Sequence, residues 1–251
     1  MRTRLAASAC AALLLLTACG GAAPTSGVRP TTPAASPSAD AVPTSAPTTA
    51  TPPPAPAVAE GIDASHHQGP IDWDRVAAAG IRFAYLKASE GTGFVDPRFA
   101  AHRAGAARAG LAVAGYHYFQ LCSDGRAQAE HFLTVLGGRA DPDLPPAVDL
   151  ELAGSCTSPP PADELLAEVR AFLATVDERL GTTTLVYLYP AFEDRFRFAD
   201  DLADHPQWVR RLGRRPPARE WAVWQYDDRG SVPGVRGGVD RNRGTIPVGR
   251  R

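Results

Sequence analysis

The sequence predicts an α/β fold, a modified (β/α) TIM-like barrel with an irregular C-terminal third. Three observations carry that expectation. Short apolar, β-branched or aromatic runs recur at 61–65, 83–89, 112–119, 145–152, 184–190 and 221–226. Ala- and Arg-rich stretches with helical spacing separate the first five, at 72–79, 97–109, 124–137 and 163–180. The rhythm then fails, because residues 213–220 read GRRPPARE, too short and too rich in proline for a crossover helix. Alternation of strand and helix implies a parallel sheet wrapped by helices, and the runs are too apolar for strands buried on one face only. An open, doubly wound sheet is the alternative.

The first 59 residues stand apart from this pattern. Arg2 and Arg4 precede an apolar run over 6–18, too short to span a bilayer and laid out like a secretory signal. The run ends Leu16-Thr17-Ala18-Cys19-Gly20, which resembles the lipobox of bacterial lipoproteins. That resemblance implies cleavage before Cys19, a diacylglyceryl anchor on its thiol, and a lipid-anchored protein on the extracytoplasmic face of the cell membrane, facing the cell wall. An ordinary signal peptide with a chance cysteine is the alternative. Between Gly20 and Ala59 lie ten of the 24 prolines, and the charged residues there are Arg29 and Asp40. Such a Pro/Ala/Ser/Thr-rich stretch has too little to bury to offset the entropy of folding. The expected division is a signal over 1–18, a lipidated, disordered tether over 19–59 reaching ~120 Å as polyproline II, and the barrel over 60–251.

Within the barrel, Asp72 before Trp73, Asp96 before Pro97, and Asp163 with Glu164 mark helix starts. Gly80, Gly110, Gly137 and Gly181 mark helix ends. Cys122 and Cys156 are the pair left once the signal and the lipid have taken Cys10 and Cys19. In an oxidising compartment a bridge is preferred over two free thiols, and closing that loop would stabilise by roughly 4 kcal/mol.

In βα barrels the chemistry sits at the C-terminal ends of the strands. Those ends supply Asp63, Lys87, Glu90, Tyr116, Asp149, Glu151, Tyr189 and Gln225, and a last short strand adds Asp240 and Asn242. Four of these are carboxylates in or beside apolar strands, which burial penalises unless they are paired. Asp149 and Glu151 are two apart and so face the same side, with Val148, Leu150 and Leu152 packing the other way. Two adjacent acids cannot ionise equally easily, and one proton held near neutral pH beside a carboxylate is what glycosidic-bond cleavage needs. A strand-end pair that caps a loop or binds a cation is the competing reading. If the barrel closes, the last strand neighbours the first and brings Asp240 to Asp63, facing Asp149 and Glu151. Lys87, the one lysine beside 25 arginines, would offset that concentration of acid.

The segments GIDASHHQGPIDW, FAYLKASEGTGFVDPRF, GYHYF, PPAVDLE, WAVWQY and VPGVRGGVDRN, in this order over 61–243, resemble glycoside hydrolase family 25. The resemblance implies lysozyme (N-acetylmuramidase) activity, hydrolysing the β-1,4 bond between N-acetylmuramic acid and N-acetylglucosamine in peptidoglycan. It implies Glu151 as general acid, Asp149 as its assisting partner, and Asp63 and Asp240 in the same catalytic acid cluster. Tyr116 and Gln225 match groove residues, and Lys87, Glu90, Tyr189 and Trp224 are expected to bind substrate with them. The chain departs from the family at Tyr187-Leu188-Tyr189 and at the arginines around Asn242 and the C-terminus, which bears on the groove edge rather than on the acids.

Other functions are disfavoured. A net charge of -1 argues against nucleic-acid binding. His66-His67 beside Asp63 suggests a metal site, but neighbours on a strand point opposite ways and no zinc-binding spacing follows. No cofactor and no metal is expected, and a monomer is. A chitinase-like glycosidase would share the D-x-E but not the longer motif preceding it. A non-catalytic glycan-binding barrel would keep its aromatics and lose its carboxylates.

Overall fold

The computed structural model describes residues 58–245 apart from 142. The expected signal, Cys19 and nearly all of the tether lie outside the described residues. In chain order the elements are β1 (Ala59–Ala64), α1 (Trp73–Ala78), β2 (Phe83–Glu90), β3 (Phe94–Val95), α2 (Phe99–Arg108), β4 (Ala112–Tyr118), α3 (Gly125–Leu136), β5 (Ala147–Leu150), α4 (Ala162–Leu180), β6 (Leu185–Leu188), α5 (Pro190–Phe196), α6 (Phe198–Asp201), β7 (Gln207–Arg210), β8 (Val223–Gly230) and β9 (Val239–Gly244).

The strands run in the order β1-β9-β8-β7-β6-β5-β4-β2, and β1 pairs with β2 to close the barrel. The two-residue β3 is a hairpin arm added to β2. All neighbours around the barrel are parallel except β9, which runs antiparallel to both β8 and β1. This is the irregular last third: an antiparallel strand needs no crossover helix, so the short segment after β8 suffices. The β9–β1 register sets Asp240 directly opposite Asp63.

Two apolar layers follow from strand alternation. Outward residues, among them Ile62, Ala84, Leu86, Val113, Val148, Leu150, Val186 and Leu188, pack under the helices with Phe132, Phe172 and Val176. Inward residues Phe83, Tyr85, Ala112, Ala114, Ala147, Leu185, Tyr187, Trp208 and Val223 fill the barrel. Helix ends follow local chemistry. Asp72 caps α1 by accepting from the Arg75 N–H, and Gly137 and Gly181 close α3 and α4 in the left-handed conformation. Cys122 and Cys156 form a disulfide that ties the loop after β4 to the loop after β5.

The structure corrects four local expectations. Strand β7 is absent from the expected runs, since only Trp208 and Val209 of its four residues are apolar. The run over 184–190 is strand only to Leu188; Pro190 begins α5, where its fixed φ suits the first helical turn. Asp96 does not cap α2, which starts at Phe99; its carboxylate accepts from the Arg98 and His66 N–H groups instead. His66 and His67 belong to a 3-10 turn rather than a strand, and their tilted rings lie 4.0 Å apart, so strand alternation is not what separates them.

Candidate active site

The barrel interior grades from apolar to polar along every strand. On β2 the inward side chains are Phe83, Tyr85 and then Lys87; on β6 and just past it, Leu185, Tyr187 and Tyr189; on β7, Trp208 and Arg210; on β8, Val223 and Gln225. The lower end is plugged. A Cβ on Gly61 would lie 2.3 Å from the Phe83 ring, so the glycine is what lets that ring cross the barrel floor. Above the plug lies a cavity of about 280 Å³ at the C-terminal ends of the strands.

Four carboxyl groups converge on it: Asp63 from β1, Asp149 and Glu151 from β5 and its end, and Asp240 from β9. Val148 and Leu150 pack outward, which fixes both β5 acids inward. All four hold protons more tightly than ordinary carboxylates, and burial is the main cause in each. Asp63 is pushed up to about 6, held back from rising further by the hydrogen bond it accepts from Asn242 Nδ2 at 2.7 Å. Asp240 is pushed up to about 8 by burial and by the Asp63 charge beside it. Asp149 is raised well above the usual range, by burial, then Glu151, then Asp63. Its Oδ1 is buried with no hydrogen-bond partner among the described residues. Glu151 is raised less, because a hydrogen bond from Asp149 and the positive Arg210 oppose its burial. The acids thus form two proton-sharing pairs, with Asp149 and Asp240 the more proton-retaining members.

Two cations sit among them. Lys87 Nζ is 2.6 Å from Glu90 and lies over the Tyr118 ring at 4.6 Å. Arg210 donates from Nη2 to Asp228 at 2.7 Å and stacks on Tyr189 at 5.1 Å. The remaining walls are polar side chains in fixed positions. Tyr187 donates to Gln225 Oε1 at 3.0 Å, and Trp208 Nε1 donates to Asn242 Oδ1 at 3.0 Å, so one amide bridges Trp208 and Asp63. Behind β4, the fully buried His117 bonds Ser89 and Gln128 and is kept neutral, its pKa pushed down to about 3 by burial.

Of the expected residues, Asp63, Lys87, Tyr116, Asp149, Glu151, Tyr189, Gln225 and Asp240 line the one cavity. Two do not. Glu90 holds Lys87 and accepts from Gln120 Nε2, and so acts from behind the wall. Trp224 is one residue from the inward Val223 and Gln225, so it points out of the barrel, where its indole donates to the Arg211 carbonyl and the Arg243 guanidinium covers its ring. Arg210, Asp228, Trp208, Tyr187 and Tyr118 line the cavity unanticipated. Trp208 and Arg210 follow from strand parity once β7 is recognised; for Asp228, beyond a bulge in β8, no sequence signal exists.

The family model for glycosyl hydrolases family 25 matches residues 62–235. Lysozyme M1 of Streptomyces globisporus is 34% identical over 196 residues, covering 73% of this chain and 67% of that one. A bacterial lysozyme from Streptomyces coelicolor superposes with a TM-score of 0.69 at 32% identity, covering 74% of this chain and 91% of its own. A family 25 glycosyl hydrolase from Bacillus anthracis gives 0.68 at 27% identity, covering 74% and 88%.

Proposed function

The chain belongs to glycosyl hydrolase family 25 and is a glycoside hydrolase, and on that premise we propose that it cleaves the β-1,4 bond from N-acetylmuramic acid to N-acetylglucosamine in peptidoglycan, with Glu151 as general acid. The observation that carries this reading is the convergence of four carboxyl groups, Asp63, Asp149, Glu151 and Asp240, on one polar cavity.

Asp149 lies deeper and keeps the shared proton when the site is empty. Glu151 faces the cleft, so with substrate bound it takes that proton from Asp149 and delivers it to the glycosidic oxygen as the bond to the anomeric carbon breaks, leaving both carboxylates ionised. Positive charge then develops on the sugar ring beside the ionised Asp63 and the newly ionised Asp149, whose negative field stabilises it without reorganisation. Water adds to the sugar, and its proton returns to the Glu151–Asp149 pair, so acid and base are regenerated. Lys87 and Arg210 limit how far mutual repulsion raises the pair. The Lys87 charge lowers both acids, and Arg210 lowers Glu151.

The N-terminal sequence adds an address to this reading: a diacylglyceryl anchor at Cys19 and a proline-rich tether holding a monomeric barrel in the cell wall. Mass spectrometry of the mature N-terminus tests it, and an unmodified first residue other than Cys19 refutes it.

For the activity, the protein is incubated with purified peptidoglycan and the new reducing ends are identified by mass spectrometry. A muramic-acid end is expected; a glucosamine end or released acetate refutes the bond assignment. Glu151→Gln should lower kcat by about 10²–10⁴ with unchanged circular dichroism, and wild-type turnover in that variant refutes the role of Glu151.

A further inference from the structure

Asp228, bonded to Arg210, lines the catalytic cavity and also a second cavity of about 480 Å³ beyond it. No helix follows β7 or β8 among the described residues, so this side of the barrel is roofed only by the loop after β7. That loop carries Arg211, Arg214 and Arg215, all exposed, and Arg214 lines the second cavity with Arg241 and Arg243.

The acids in this region are engaged. Glu60 is clamped by Arg241 and Arg243, each at 2.9 Å, and accepts from the Tyr226 hydroxyl. Asp228 is held by Arg210, and Asp227 accepts the Arg229 N–H at 3.0 Å. Among the described residues Arg214 and Arg215 have no ion-pair partner. Three acids and three arginines line the second cavity, so the excess positive charge on this rim is carried by the loop itself, by Arg211, Arg214 and Arg215. Across the barrel, the rim beside β2 differs: Lys87 is neutralised by Glu90, and the projecting group is the exposed ring of Phe94.

We infer that the loop after β7, with Arg214 at its centre, docks the acidic peptide stem carried by the muramyl sugar at the cleavage site. This rests on the peptidoglycan reading above. The stem springs from that sugar through its lactyl ether and bears free carboxylates, so it must leave the cleft over some rim. The Asp228 side offers a continuous path from the acids to guanidinium groups that lack a carboxylate. Arg214 acts on substrate position, not on the bond that breaks.

The test compares kcat/KM of the full chain on stem-bearing peptidoglycan and on the same glycan stripped of stems by an amidase. The wild type is expected to prefer the stem-bearing substrate. Arg214→Glu should reduce that preference about three- to tenfold, mainly through KM, as reversal of one exposed charge does, and about 0.5 M salt should compress the wild-type preference because exposed charges are screened. Arg108→Glu, the same charge change on an exposed residue of α2, should keep the wild-type ratio. The inference is overturned if Arg214→Glu keeps the wild-type ratio, if Arg108→Glu shifts it equally, or if the wild type cleaves both glycans with the same efficiency. Cleavage of neither glycan refutes the peptidoglycan reading, and this inference with it.

Discussion

Asp63→Asn is expected to make the protein more stable at neutral pH while impairing it as an enzyme. In the folded protein the Asp63 carboxyl titrates at about 6, against 3.8 for a free one, with burial as the main cause. Between those two values the folded state holds a proton that the unfolded chain has released. Stability therefore falls as pH rises through that window and stays reduced above it. The window spans about two pH units at ~1.4 kcal/mol each, so the penalty at pH 7.5 is at most ~3 kcal/mol. Solvent at the cavity mouth reduces it, and about 1–3 kcal/mol is the expected gain from the amide. The amide oxygen can accept from Asn242 Nδ2 as the carboxylate does. Asp240 also benefits, since the Asp63 charge is the largest cause of its raised pKa after burial. Urea unfolding of the wild type and Asp63→Asn at pH 7.5 and pH 3.5 measures this. At pH 7.5 the variant should gain about 1–3 kcal/mol, or ~2–10 °C in Tm for a domain of this size. At pH 3.5, where the carboxyl is mostly protonated in both states, the gain should fall to a few tenths of a kcal/mol, on the order of 0.2. A variant less stable than wild type at pH 7.5, or one with equal gains at both pH values, refutes the view that these acids are held against their own solvation.

Two further outcomes follow from groups outside the cavity. Replacing both Cys122 and Cys156 by Ser opens a loop with a sequence separation of 34 and should lower unfolding free energy by up to ~4 kcal/mol, read by urea titration; a loss below about 1 kcal/mol counts against the chain-entropy account. His205 bridges Asp177 at 3.1 Å and Asp204 at 3.2 Å, joining the end of α4 to the approach to β7, and its pKa is raised first by the Asp177 hydrogen bond. That contribution is complete below the ordinary histidine pKa and is lost as pH rises through the folded one, so His205→Ala should destabilise by up to about 1 kcal/mol more at pH 5.5 than at pH 8.5; an equal loss at both pH values refutes the link.

Much of the barrel was legible because its period is long and its punctuation chemical. Strands β1, β2, β4, β5 and β6 are largely apolar runs, and α1 to α4 fall between them, each closed by a glycine in the left-handed region, with the expected Asp cap present on α1. The missing helix between β7 and β8 was legible too, as the proline-rich segment over 213–220. What the sequence did not reveal is how the chain runs from β6 to that point. Strand β7 has four residues, two of them polar, and α5 and α6 meet at Arg197, a non-glycine residue in the left-handed region with φ of 60°. The phenylalanines on either side, Phe192, Phe196 and Phe198, pack on one another at 4.9–5.6 Å. Tertiary packing overrides local preference at such a corner, and no pattern along the chain announces it.

The site divides along the same line, and parity is the reason. Wherever a strand was recognised, counting by two from a core residue identified the inward side chains: Lys87 follows Tyr85, and Asp149 and Glu151 follow Ala147. Trp224 belongs to the WAVWQY motif, but its neighbours Val223 and Gln225 both point inward, so parity turns Trp224 out of the cavity. Arg210 was missed for a different reason. With 25 arginines in the chain, composition cannot single one out, whereas the lone lysine draws attention by its rarity. Only the assignment of β7 makes Arg210 special, as the residue two beyond the buried Trp208 and so the one β7 arginine aimed at the acids. The rare residue is paired with Glu90 and still lowers both Asp149 and Glu151. The common one tempers Glu151 and stands at the wall between the catalytic cavity and the arginine-lined one beside it. In a chain this rich in arginine, electrostatic roles are set by strand register, and register has to be established before charge is read.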